Sequence, residues 1–104
     1  MVARRLIVSN VAEADLHAIV AYIAERDGRL RAIAATDRIR KAMDNLAFMP
    51  GMGSRRYYLK RNQRAFSVPP WMIFYEELLE GEGINVVRII DGRRNLASMF
   101  DKPK

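Results

Sequence analysis

The stretch WMIFYEELLEGEGINVVRII, residues 71–90, decides the fold. Trp71-Met72-Ile73-Phe74-Tyr75 and Ile84-Asn85-Val86-Val87-Arg88-Ile89-Ile90 are rich in β-branched and aromatic residues over strand lengths. Glu80-Gly81-Glu82-Gly83 between them is a polar, glycine-rich turn, so the two runs predict an antiparallel hairpin. Upstream, Ala65-Phe66-Ser67-Val68 and Tyr57-Tyr58-Leu59 read as two further strands. Pro69-Pro70 cannot stand inside a central strand and must interrupt pairing or mark an edge or bulge.

Working outward, the first half of the chain changes period. Arg4-Arg5-Leu6-Ile7-Val8 suits a strand, and Asn10 with Glu13 three residues later suits a capping box. Leu16, Ile19, Val20 and Ile23 then form one stripe of a helix over about residues 11–26, broken at Asp27-Gly28. A second helix over about 30–48 carries Ala32, Ala35, Ile39, Ala42, Met43 and Leu46 on one face. Its alanines permit close approach, which predicts a helical hairpin ended by Pro50-Gly51-Met52-Gly53. Beyond Asp91-Gly92, residues 93–100 predict a short closing helix. The expected fold class is α+β: an N-terminal strand, then a helical hairpin packed on one face of a mostly antiparallel sheet. No repeat or linker divides the 104 residues, so 1–104 is expected to be one domain.

Composition narrows the chemistry. Half of the residues are hydrophobic and 29% are charged, a globular balance. The sequence has no Cys and a single His, His17, which excludes disulfides, thiolate nucleophiles and the two-His metal motifs. Leu6-Ile7-Val8 is too short a run for a signal-peptide core, and no stretch reads as a membrane span, so the expected location is the cytoplasm. The formal net charge is +6. Its source is local: residues 51–64 hold Arg55, Arg56, Lys60, Arg61 and Arg64 and no acid. Such a block suits a nucleic acid, a ribosome or an acidic protein surface, or is a solvated loop.

Few catalytic motifs are present. Gly51-Met52-Gly53 lacks the later residues that a phosphate loop requires. Glu76, Glu77, Glu80 and Glu82 straddle a hairpin turn, where a solvated surface explains them. His17 stands beside core-directed Leu16, and Tyr22, Trp71 and Tyr75 fit a core or sheet face. What remains is a set of arginines. Arg55, Arg56, Arg61 and Arg64 with Lys60 precede the hairpin, and Arg88, Arg93 and Arg94 end it. Gathered at one end or on one face, they would bind phosphates or carboxylates.

At these residues the chain resembles the RelE/ParE superfamily of small type II toxins, and more closely its ParE branch. The carriers are Ala14-Asp15-Leu16 through Ile19 to Tyr22-Ile23, and Leu46-Ala47-Phe48-Met49-Pro50 with Gly53 and Arg55. They continue in Phe66-Ser67-Val68, Ile73-Phe74-Tyr75, Val87-Arg88-Ile89-Ile90, Gly92-Arg93-Arg94 and Phe100. The resemblance runs over roughly residues 3–100. RelE-like relatives cut messenger RNA on the ribosome; ParE-like relatives poison DNA gyrase. The positions of the RelE catalytic lysine, strand arginine and C-terminal tyrosine fall near Ser67, Met72 and Phe100, none of which can do that chemistry. Arg94 alone is retained, with Arg64 as a substitute for the lysine. Asp91 and Asn95 also depart from the His and Asp frequent in the ParE branch.

The resemblance therefore implies a toxin that acts by binding, without a cofactor, a metal or catalysis of its own. Its expected target is DNA gyrase, contacted through Arg55, Arg64, Arg88, Arg93, Arg94 and Phe100. Its expected partner is a ParD-like antitoxin forming a hetero-oligomer, whose acidic segment folds over Leu16, Ile19, Tyr22, Arg55, Trp71 and Tyr75. DNA would be reached only through the antitoxin or the gyrase complex, and no membrane is involved. The alternatives are a ribosome-dependent endoribonuclease using Arg64 and Arg94, and a non-toxic remnant that only binds antitoxin.

Overall fold

In the computed structural model, which describes residues 4–100, strand β1 (Arg5–Val8) leads directly into helix α1 (Asn10–Asp27) and then α2 (Arg29–Phe48). A 3-10 turn at Pro50–Met52 and an irregular segment lead to β2 (Gln63–Val68), β3 (Trp71–Glu77), β4 (Gly83–Asp91) and a short α3 (Leu96–Phe100). The four strands form one sheet in the order β1-β4-β3-β2. β1 runs parallel to β4, and the other two pairings are antiparallel. This is the α+β architecture that the sequence predicts.

The start of α1 differs in detail. The cap is Ser9, not Asn10: its Oγ accepts the Ala12 N–H at 3.1 Å. Ser9 is placed there by the sheet, because its own N–H donates to the Val86 carbonyl at 2.9 Å. One residue thus ends the strand ladder and opens the helix. Gly83 makes the close approach of β1 possible. Its φ is +130°, and a Cβ there would lie 2.0 Å from the Arg5 carbonyl oxygen.

The helical hairpin covers one face of the sheet. Leu16 of α1 and Ile39, Met43 and Leu46 of α2 are buried against Ile73, Tyr75, Ile84, Val86 and Ile89. Burying each large side chain contributes about 1.5–3 kcal/mol, so this layer dominates the stability. The opposite face carries a second cluster, Ala65, Met72, Phe74 and Ile90, covered by Tyr58, Leu59, Leu96, Met99 and Phe100.

Tyr57-Tyr58-Leu59 is not a strand. It forms a turn in which the Leu59 N–H donates to the Arg56 carbonyl at 3.0 Å. The outer edge of β2 is met instead by Ser54, bridged to Ala65, and the Tyr58 and Leu59 side chains pack onto the second cluster. Pro69-Pro70 forms the connection of the β2–β3 hairpin, with Val68 opposite Trp71.

β4 contains a bulge that simple alternation does not anticipate. Phe74 pairs with Arg88 and Tyr75 with Val86, leaving Val87 extra. The slip changes which face the later residues take: Ile84, Val86 and Ile89 join the helical core, while Ile90 joins the second cluster. Without it, Ile89 would turn away from the helices.

Candidate functional site

A groove of about 540 Å³ opens between α1, the first half of α2 and the end of the sheet where β3 begins and β4 finishes. Its apolar part is built by helix spacing and by the hairpin. Ile19 packs with the buried residues Ile23, Ala32 and Ala35, and half-buried Trp71 closes the cluster from β3. Tyr22, one turn on from Ala18, is 59% exposed at the rim. The Arg26 guanidinium lies 5.2 Å from its ring centroid and donates to its hydroxyl at 2.7 Å.

The other wall is charged. Asp15 accepts two bonds from Arg88, at 2.8 and 3.1 Å, and a third from the Ile89 N–H at 2.9 Å. β1 pairs with β4 only as far as Val86, so Asp15 serves the strand edge that β1 leaves uncovered. Past β4, Arg93 is forked onto Asp91 by contacts of 2.6 and 3.0 Å, and Arg94 is exposed beside it. The bonds from Arg93 hold the Asp91 carboxyl down at about 2. Arg31 of α2 lines the groove as well. An apolar floor with this many guanidinium groups suits an amphipathic segment bearing carboxylates.

Of the sequence-predicted residues, the structure brings Ile19, Tyr22, Trp71, Arg88, Arg93 and Arg94 into this one groove. The remainder go elsewhere. Leu16 and Tyr75 are fully buried in the main core and do not line the groove, so neither is open to a partner's contact. The Tyr75 hydroxyl is engaged within the core: it accepts the Gly53 N–H at 2.9 Å and donates to the Pro50 carbonyl at 2.6 Å. Burial pushes this phenol above its ordinary pKa, so it stays a donor.

The arginines do not gather as one cluster. Arg64 binds Glu77 at 2.9 Å and the Gly53 carbonyl at 2.9 Å, and Arg55 approaches the same Glu77 at 3.9 Å. Glu77 lies six residues along β3 from Trp71, about 20 Å at strand rise, so this pair stands at the far end of the sheet from Asp91 and Arg93. Phe100 is on the opposite face, 4.5 Å from the Phe74 ring centroid. It does not join Arg93 and Arg94.

Three residues of the groove do not stand out in the sequence: Asp15 as an edge partner, and Arg26 and Arg31 as rim cations. Arg26 is open to detection, since it stands four residues after Tyr22 on one helix face. Among the described residues no three His, Cys, Asp or Glu side chains converge to hold a metal ion. No helix among them is long and apolar enough to cross a membrane.

Comparison with known proteins gives this arrangement a context. The chain is 35% identical over 98 residues to Toxin ParE3 of Caulobacter vibrioides, covering 94% of this chain and 96% of that one. The solved structure titled "Chromosomal ParDE TA system from P. aeruginosa" superposes with a TM-score of 0.71 at 22% identity. That overlap covers 88% of this chain and 98% of the other, and it is a likeness of fold. The family described as "ParE toxin of type II toxin-antitoxin system, parDE" matches residues 6–96. With nearly the whole chain matched, the protein belongs to the ParE toxin family of type II toxin–antitoxin systems.

Proposed function

We propose that this toxin inhibits DNA gyrase by binding it, blocking replication in the cytoplasm, and that a ParD-like antitoxin neutralises it by occupying the groove. The observation that carries this reading is the meeting of two sets of residues: Ile19, Tyr22 and Trp71 share one groove with Arg93 and Arg94. An antitoxin segment seated on the apolar floor, with carboxylates on the arginines, covers the residues assigned to target contact. Neutralisation then needs no distortion of the toxin; the two partners compete for the same guanidinium groups.

Binding rather than RNA cleavage fits the geometry. Arg64 and Arg94 would have to reach one phosphate. Arg64 is opposite Tyr75 on the edge strand β2, about 13 Å along the sheet and about 10 Å across it from the end of β4. It is also engaged by Glu77 and Gly53. Phe100 has no proton to give a leaving group.

The test is a gyrase supercoiling and DNA-cleavage assay with purified toxin, with and without its antitoxin. Loss of supercoiling with trapped cleaved DNA, reversed by antitoxin, is expected. Well-folded toxin that leaves gyrase untouched overturns the reading. Ribosome-dependent cleavage by the same preparation would then identify a ribonuclease, and inactivity in both assays with tight antitoxin binding would identify a remnant.

A further inference from the structure

On the sheet face away from the helical hairpin, a line of rings runs outward from the core. Phe74 is fully buried; Phe100 lies on it at 4.5 Å, and Tyr58 stacks on Phe100 at 5.8 Å. Tyr57 meets Tyr58 edge-on at 5.2 Å and ends the line. It is 90% exposed, although a tyrosine at the end of a packed aromatic series would bury more area by folding inward. Beside it is a hollow of about 720 Å³, lined by Tyr58, Lys60, Val87 and Phe100 among others.

The basic segment that carries this ring holds both paired and unpaired cations. Among the described residues, the ion pairs engage Arg55, Arg64, Arg88 and Arg93, each with a carboxylate. Among the same residues, Arg56, Lys60 and Arg61 of the basic segment have no carboxylate within ion-pair distance. Arg56 contacts the Ser54 and Tyr58 hydroxyls at 3.3 and 3.5 Å, both neutral groups. Three cations without acidic partners therefore stand within four residues of the exposed ring, and Lys60 also lines the hollow.

We propose that this face binds single-stranded nucleic acid, with Tyr57 as the stacking platform for a base and Arg56, Lys60 and Arg61 as phosphate contacts. An unpaired strand alternates flat apolar bases with negative phosphates, and the surface offers the complement of both. An acidic peptide would satisfy the cations but leave the exposed ring unused. A duplex would present phosphates but keep its base faces stacked inside. The surface adjoins the groove that carries Arg93 and Arg94 at Arg88, which lines both, but Tyr57 and the three cations lie outside that groove. Binding there does not depend on which enzyme the toxin inhibits. It gives the chain a nucleic-acid contact of its own, in place of contact only through the antitoxin or gyrase.

The experiment is fluorescence anisotropy of a labelled dT20 oligonucleotide titrated with the purified full chain, beside the dA20·dT20 duplex. The single strand should bind more tightly, with a log–log salt slope near −2 for three neutralised phosphates, at about −0.7 each. Tyr57→Ala should weaken binding about tenfold and leave the salt slope unchanged, while Tyr57→Phe retains affinity. Replacing Arg56, Lys60 and Arg61 with Gln should flatten the slope. All four side chains are exposed, so these variants should keep the parent circular dichroism spectrum and melting temperature. Equal binding of duplex and single strand, or unchanged affinity in Tyr57→Ala, overturns the proposal. So does polyglutamate displacing the probe as effectively as unlabelled dT20, which would assign the face to an acidic protein.

Discussion

The hydroxyl of Tyr75, at the centre of the sheet, accepts the Gly53 N–H at 2.9 Å and so ties the entrance of the basic segment to the core. Its second bond, to the Pro50 carbonyl, fixes the end of α2 in the same way. Tyr75→Phe leaves both backbone groups without their buried partner and should cost about 1–3 kcal/mol in urea denaturation. Gly53→Ala should also destabilise, since its Cβ would stand 2.5 Å from the Tyr75 hydroxyl and 2.9 Å from the Ala65 carbonyl oxygen. A midpoint unchanged in both variants would show that the tie carries no stability.

Asp15 and Arg88 form a pair whose two members should not be equivalent. Asp15→Ala removes the acceptor for both the guanidinium and the Ile89 N–H, and should cost about 2–3 kcal/mol. Arg88→Met leaves Asp15 on the Ile89 N–H and should cost less. Chemical denaturation of the two single variants and the double variant checks the asymmetry and measures the coupling.

The Asp91 carboxyl should titrate near 2 by NMR and return toward the ordinary aspartate range, about 3.9, in Arg93→Ala. Because the folded value is depressed, the linked stability is present above the unfolded pKa and is lost as pH falls from about 4 through about 2. The pair is largely exposed, so high salt should shrink the difference between parent and variant.

Reversing charge at Arg93 and Arg94 together should abolish gyrase inhibition without unfolding the domain, and should weaken antitoxin binding at least tenfold. Tyr22→Ala should weaken antitoxin binding by about tenfold and leave inhibition intact. Supercoiling assays and calorimetric titration with antitoxin separate the two effects. Equal loss in both assays for Tyr22→Ala would place the tyrosine in the target contact as well.

Much of this architecture is legible because its period is local. Leu16, Ile19, Val20 and Ile23 announce α1, and the two apolar runs around Glu80–Gly83 announce the β3–β4 hairpin. The cap at Ser9 is less visible, since Asn10 is chemically as good and the choice is made by the Val86 carbonyl, far away in sequence. Tyr57–Leu59 has strand composition, but Ser54 meets the outer edge of β2 and the Tyr58 and Leu59 side chains turn onto the second cluster. The Val87 bulge and the separation of Arg55 and Arg64 from Arg93 and Arg94 are matters of register, which composition does not carry. The groove is legible as residues and not as a place.

The pairing of the first strand with the last has a consequence in time. Arg5 meets Gly83, so β1 has no partner until β4 has been synthesised. The helices form early from local contacts, but their apolar stripe stays exposed until β3 and β4 arrive. Such long-range closure is slow, and it leaves the nascent chain dependent on β3 and β4. A transcript truncated before residue 83 therefore encodes no completed sheet. The cell meets a folded toxin only after β4 has been synthesised.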